Sequence, residues 1–361
     1  MNSTIIIYLY WIFFSLIFLF YKNIKNYTFT LILLIISFFI LLLSYKGLHS
    51  DWVSYRSYYN KAVAIGRTYF EKGFDFLLYI ANKIGTFEVI PIFAILSFFL
   101  LFLVIWNERI FGKNNYYILV FSFYCSFLPL YFGAIRQAIA SNFLFIFFVL
   151  FYKKKYLRCL FFLILAYLFH KSSILICAIF IAFNIYSFMT RRFNYKKYIF
   201  FTLLVVVTMY VVFKATISNL FVALDMAYRL GDADNFTSNP IKDLFILAER
   251  LIFIIFSFIL IKYETKSLNF NIRLFLGGNF FYCIFYSLAR NLAGRTLAFY
   301  RYLDIYIMYE ALRIIIPRFL VLTKRKIVIK KDSSLNNVSL LFCIFYSLIK
   351  YYVTVASSGV F

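Results

Sequence analysis

The chain has 361 residues, 64% of them hydrophobic and only 14% charged, with 38 Lys and Arg against 14 Asp and Glu for a formal charge of +24. Apolar runs of about 14 to 20 residues recur from end to end, which excludes an ordinary soluble domain and marks an all-α polytopic membrane protein; the even alternation of a β-barrel is absent. The basic residues fall in short loops between these runs, where they set orientation, so the charge does not call for nucleic acid.

In chain order, about twelve transmembrane helices are expected. They lie at Thr4–Tyr21, Thr28–Tyr45, Val89–Trp106, Tyr116–Phe132, Gln137–Tyr152, Leu157–Phe169, Ile174–Met189, Tyr198–Phe213, Leu244–Ile261, Ile272–Ala289, Tyr302–Ile316 and Val338–Val353. The first lacks a basic leader and a small-residue cleavage site, so it reads as a retained span. Alternate loops carry Lys22 and Lys25, Arg109 and Lys113, Lys153 to Arg158, Arg191 to Lys197, Lys262 to Arg273, and Arg318 to Lys331. These loops are expected in the cytoplasm, which puts both termini outside. Residues 1–361 then form a single integral-membrane domain with two long outer-face loops, 46–88 and 214–243. Long loops within a compact domain are usually functional. The first contains amphipathic stretches over Asp51–Ala64 and Gly73–Ile84, expected to be helices along the membrane surface. The five cysteines lie in apolar runs, and His49 and His170 lack partners at zinc-ligand spacing, so neither a metal nor a cofactor is expected.

The outer connections place charge where a membrane protein avoids it. The span Leu157–Phe169 rises only roughly 20 Å against a hydrocarbon core near 30 Å, so His170 and Lys171 are expected below the outer surface. The turn Phe132–Ile135 leaves Arg136 at the start of the next span. A charge at that depth costs several kcal/mol unless it meets water or an anion. Taken singly, Arg136 also fits an arginine snorkelling to lipid phosphate, and His170 fits a hydrogen-bonded residue between helices. Arg290, Arg295 and Arg301 on the same face shift that balance, because positive-inside counting disfavours them there and guanidinium forks match phosphate oxygens. The expectation is a sunken cationic basin, open to the outside and suited to an anion.

Three motif segments, Ile135–Ala140, Lys153–Tyr156 and Leu165–Ser173, carry the sequences IRQAIA, KKKY and LAYLFHKSS. This series resembles the EpsG family, which groups with the Wzy-type polymerases of O-antigen and capsular polysaccharide. The family's outer-loop pattern, an Asp before a Tyr and then Glu-x-Gly-Phe, is similar to Asp51–Tyr55 and Glu71–Phe74, with Ser50 standing where that pattern has Gly. Its late basic-aromatic pattern is similar to Arg295 through Tyr302. The resemblance implies a glycosyltransferase of GT-C-like architecture in the bacterial inner membrane, with its active site facing outward. It would move a growing chain from undecaprenyl diphosphate to the non-reducing end of an incoming lipid-linked oligosaccharide unit. Membrane lipid, a chain-length regulator and a flippase of the same pathway are the implied partners. On that reading Arg136, Arg295 and Arg301, with Lys171 and Arg290 beside them, hold the diphosphate, whose charge grows as the glycosidic bond breaks. The acceptor hydroxyl needs a base, for which His170, Asp51 and Glu71 are candidates, with Asp75 a further one. Tyr55, Tyr300 and Tyr302 are either sugar-stacking or interfacial residues. Two other readings stay open, a flippase or transporter of lipid-linked glycan and an outer-face ligase or acyltransferase.

Overall fold

A computed structural model describes residues 50–65, 70–108, 133–174, 240–263, 301–322 and 333–357, together with residues 35, 36, 122, 127, 130, 131, 176–178, 180, 181, 276, 278, 279, 282, 283 and 299. The expected spans over 4–21 and 198–213, nearly all of 28–45, most of 116–132, 174–189 and 272–289, and the second outer loop before residue 240 lie outside them. Every element among the described residues is helical: α1 (Ser50–Ile65), α2 (Lys72–Ile84), α3 (Val89–Glu108), α4 (Ile135–Tyr152), α5 (Tyr156–Phe169), α6 (Pro240–Tyr263), α7 (Asp304–Leu322, preceded by a 3-10 turn at Arg301–Leu303) and α8 (Ser333–Ser357). Three of these stretches, Val89–Glu108, Ile135–Tyr152 and Leu244–Tyr263, are long and apolar enough to cross a membrane. The chain divides into two compact units, one of residues 1–174 and 312–361 and the other of residues 175–311.

In the first unit α4 is the central element. A helix apolar on all sides has to be surrounded, and every residue from Gln137 to Leu150 is buried. The small side chains Ala138, Ala140 and Ser141 let neighbouring helices approach closely. Polar groups on this helix are satisfied locally or across the contact: Ser141 Oγ donates to the Gln137 carbonyl at 2.7 Å, and Asn142 Nδ2 donates to Ser97 Oγ on α3 at 2.8 Å. Phe169 at the end of α5 stacks on Phe93 of α3 with centroids 5.5 Å apart and packs on Phe143 of α4 at 5.8 Å.

A tight turn joins α4 to α5. Lys154 takes a left-handed conformation there (φ 58°), and the Lys155 amide donates to the Leu150 carbonyl at 3.0 Å. Lys155 Nζ also meets Glu108 Oε1 at the end of α3, at 2.5 Å. The last turn of α3 and the α4–α5 turn therefore share one end of the unit. The start of α3, the start of α4 and the end of α5 lie at the other, as the alternation of basic loops predicts.

Both stretches singled out in the first long loop are helical, as α1 and α2, but only α2 separates an apolar from a polar face. Phe74, Leu77, Leu78 and Ala81 form the buried face of α2. Gly85 ends that helix in the left-handed region at φ 80°, its amide directed at the carbonyls of Ala81 and Asn82. A glycine suits that cap because it carries no Cβ to strain there. At the other end, Gly73 meets α5 so closely that an added Cβ would stand 2.8 Å from the Leu168 carbonyl oxygen.

In the second unit, Arg250 on α6 is fully buried. Its guanidinium makes a two-pronged contact with Asp304, Nη1 to Oδ1 and Nη2 to Oδ2, both at 3.0 Å. Glu249 Oε2 lies 3.0 Å from Nη2, Asn279 Oδ1 accepts from Nη1 at 3.3 Å, and the Phe253 ring sits 4.8 Å from the guanidinium carbon. Paired in this way, a charge inside an apolar helix is tolerable.

Candidate functional site

The site is built at the end of the first unit where α4 starts and α5 stops. Arg136 occupies the first turn of α4, where the helix macrodipole disfavours a cation. A carboxylate compensates, since Arg136 Nη1 is bonded to Glu71 Oε2, and Nε donates to Tyr55 Oη at 3.4 Å. Phe70 lies against the guanidinium, its centroid 4.5 Å from Cζ, with the Tyr55 and Phe74 rings at 5.7 and 5.8 Å. Those three rings also pack on one another, at 5.1 to 5.6 Å between centroids, so the cation sits in a preformed aromatic box.

Glu71 has a partner at each carboxylate oxygen. Its Oε1 lies 3.6 Å from His170 Nδ1, while Oε2 is on Arg136. His170 leaves the helical conformation at the end of α5, with φ −156° and ψ 111°. Ser172 Oγ is 3.2 Å from the same Nδ1, and Ser173 Oγ donates to the Ala166 carbonyl at 3.1 Å, closing the helix end. Phe169, His170, Ser172 and Ser173 thus each have a defined structural task, and Lys171 among them is half-buried. The Glu-x-Gly-Phe stretch is equally legible: Glu71 pairs with Arg136, Gly73 allows the close approach to Leu168, and Phe74 lines the box.

One turn beyond Glu71, Asp75 Oδ1 accepts the Phe70 amide at 3.3 Å, whereas Oδ2 is shielded from solvent and has no hydrogen-bond partner among the described residues. Burial pushes this carboxyl up to about 6, and the Glu71 charge adds to the effect; the Phe70 amide and Arg136 oppose it.

The structure brings together Glu71, Arg136 and His170, three residues singled out in the sequence. Asp51 lies in the first turn of α1, and its side chain is outside the described residues, as are Arg290, Arg295 and Tyr300. Arg301 is half-buried on the 3-10 turn of the second unit. Tyr55 and Tyr302, at 3% and 0% exposure, are enclosed rather than presented to a sugar. Sequence reasoning left Arg136 with no protein anion and missed the roles of Phe70, Ser172 and Gly73. The Glu-x-Gly-Phe spacing was the available signal for Glu71 as that anion and for Gly73. A guanidinium in an aromatic box, beside an imidazole that touches a carboxylate, can bind an anion and orient a proton acceptor in one place.

The EpsG family profile matches residues 27–361. No curated protein and no solved structure matches the chain. The matched range takes in Glu71–Phe74, Arg136–Ala140 and Phe169–Ser173, the segments that build the site, and it covers nearly the whole length. The chain belongs to the EpsG family and is a polymerase-like membrane protein of polysaccharide biosynthesis.

Proposed function

We propose that this protein is a GT-C-like glycosyltransferase that polymerises lipid-linked repeat units at the outer face of the bacterial inner membrane. The donor is a growing glycan on undecaprenyl diphosphate, and the acceptor is the non-reducing-end sugar of an incoming lipid-linked unit. The observation that carries this reading is the Glu71–Arg136–His170 cluster at one end of the apolar helices, built by the segments that resemble the family's motifs. Arg136 steadies the diphosphate as it leaves, and Lys171, Arg290, Arg295 and Arg301 are the further cations assigned to that charge. The acceptor hydroxyl oxygen attacks the anomeric carbon while the bond from that carbon to the phosphate oxygen breaks. Its proton passes to a base in the His170, Glu71, Asp51 set. The leaving lipid keeps the bonding electron pair. A flippase and a chain-length regulator supply the substrate and set the product length.

The test is the surface-glycan ladder of a null strain complemented with Arg136→Lys and His170→Ala, each checked for membrane abundance. Arg136→Lys keeps the charge that pairs with Glu71 but loses the fork. Both variants are expected in the membrane at wild-type level, with glycan reduced to a single repeat unit. Wild-type chain lengths would overturn the assignment, and long polymer accumulating on the carrier lipid would identify a ligase instead.

A further inference from the structure

The face of α2 turned away from the site carries an unusual stripe. Lys72, Phe76, Tyr79 and Lys83 are all exposed, Phe76 by 62% and Tyr79 by 57%. Their spacing of four, three and four places them within an arc of roughly 60° at about 100° per residue, opposite the buried Phe74, Leu77, Leu78 and Ala81. Two large aromatic rings thus lie outward between two lysines about 16 Å apart along the axis.

Both ends of this helix are fastened to the ends of apolar helices. Gly73 packs on Leu168, two residues before α5 stops at His170. At the other end only Gly85–Glu88 separate α2 from Val89, where the apolar span α3 begins. Fastened in this way, α2 lies beside the ends of α3 and α5, at the membrane border, with its exposed face turned away from them.

We infer that the Lys72–Phe76–Tyr79–Lys83 face of α2 is a binding surface for anionic lipid headgroups, with the two rings seated among the upper acyl carbons. Aromatic rings collect at this level of a bilayer, and lysines at its edge gain from lipid phosphates. Lys83 Nζ lies 5.6 Å from the centroid of the Tyr79 ring, which covers the face that a stacking sugar would use. The inference requires only that the chain sits in a membrane, and it stands or falls separately from the polymerase reading. Its consequence is that α2 holds Glu71 on one side at the depth where its other side grips headgroups.

The experiment uses the full-length protein in lipid vesicles without substrate. Phe76→Trp and, separately, Tyr79→Trp are placed in a background with Trp11, Trp52 and Trp106 replaced by Phe. Vesicles contain phosphatidylcholine with or without phosphatidylglycerol, brominated at upper acyl carbons. The expected result is blue-shifted emission from either introduced tryptophan, quenched more strongly when the brominated lipid is phosphatidylglycerol, with that preference lost in Lys72→Gln/Lys83→Gln. Unquenched emission at the wavelength of water-exposed indole, or quenching indifferent to headgroup charge, would overturn the inference. Because all four side chains are exposed, the substitutions leave the packed face of α2 intact.

Discussion

Asp75 is the clearest single-residue test of the site's electrostatics. Its carboxyl rises from 3.8 to about 6, so between those values the folded protein binds this proton more tightly than the unfolded chain does. Stability from this group is therefore greatest on the acid side and falls as pH rises through about 4 to 6, with the full cost present above that window. Asp75→Asn keeps an oxygen for the Phe70 amide and removes the charge. The variant is expected to melt higher than wild type at about pH 7.5, by on the order of 1 kcal/mol after solvent screening, and to show a flatter dependence across the window. Thermal unfolding of the detergent-solubilised protein at about pH 4.5 and pH 7.5 measures this; an unchanged difference between the two would contradict it. Sequence alone pointed to Arg136 and His170 because each is a polar residue in an expensive place, and to Glu71 through the Glu-x-Gly-Phe resemblance. It did not pair them, since Glu71 and Arg136 stand 65 positions apart and only packing decides which carboxylate reaches a given arginine.

At the level of elements, the contact of α2 on α5 rests on the absence of a side chain. Gly73→Ala would drive a Cβ to within 2.8 Å of the Leu168 carbonyl oxygen, which is backbone and cannot rotate away, so α2 must shift. The expected cost is about 1–3 kcal/mol. Because Glu71 precedes this contact by one half-turn, polymer length should fall even where the variant stays in the membrane. A glycan ladder alongside a melting curve separates the two effects, and an unaltered ladder would remove Gly73 from the site's support. The helix α2 was legible from its apolar periodicity, as were α3 and α4 from long apolar runs, whereas α1 carries little such periodicity. The partner of Arg250 was not legible, because Asp304 lies 54 positions further on and its reach back to Arg250 depends on tertiary folding.

For the whole molecule, orientation depends on which loops share a side. The Glu108–Lys155 contact puts the end of α3 and the α4–α5 turn together, opposite the Glu71–Arg136 end. In a cysteine-free background, a cysteine replacing Lys154 is expected to react with an impermeant maleimide only from the cytoplasmic side, and one replacing Lys72 only from outside. Labelling of both from one side would contradict the alternation. The short helix α5 then has a consequence for the surrounding lipid. Its fourteen residues rise about 21 Å, well under the thickness of a hydrocarbon layer near 30 Å. Hydrophobic mismatch of that size draws the leaflet inward beside His170. Under the proposed function a lipid-linked substrate would meet a thinned leaflet at this helix end, so the membrane deformed by one undersized helix would itself form part of the entry route.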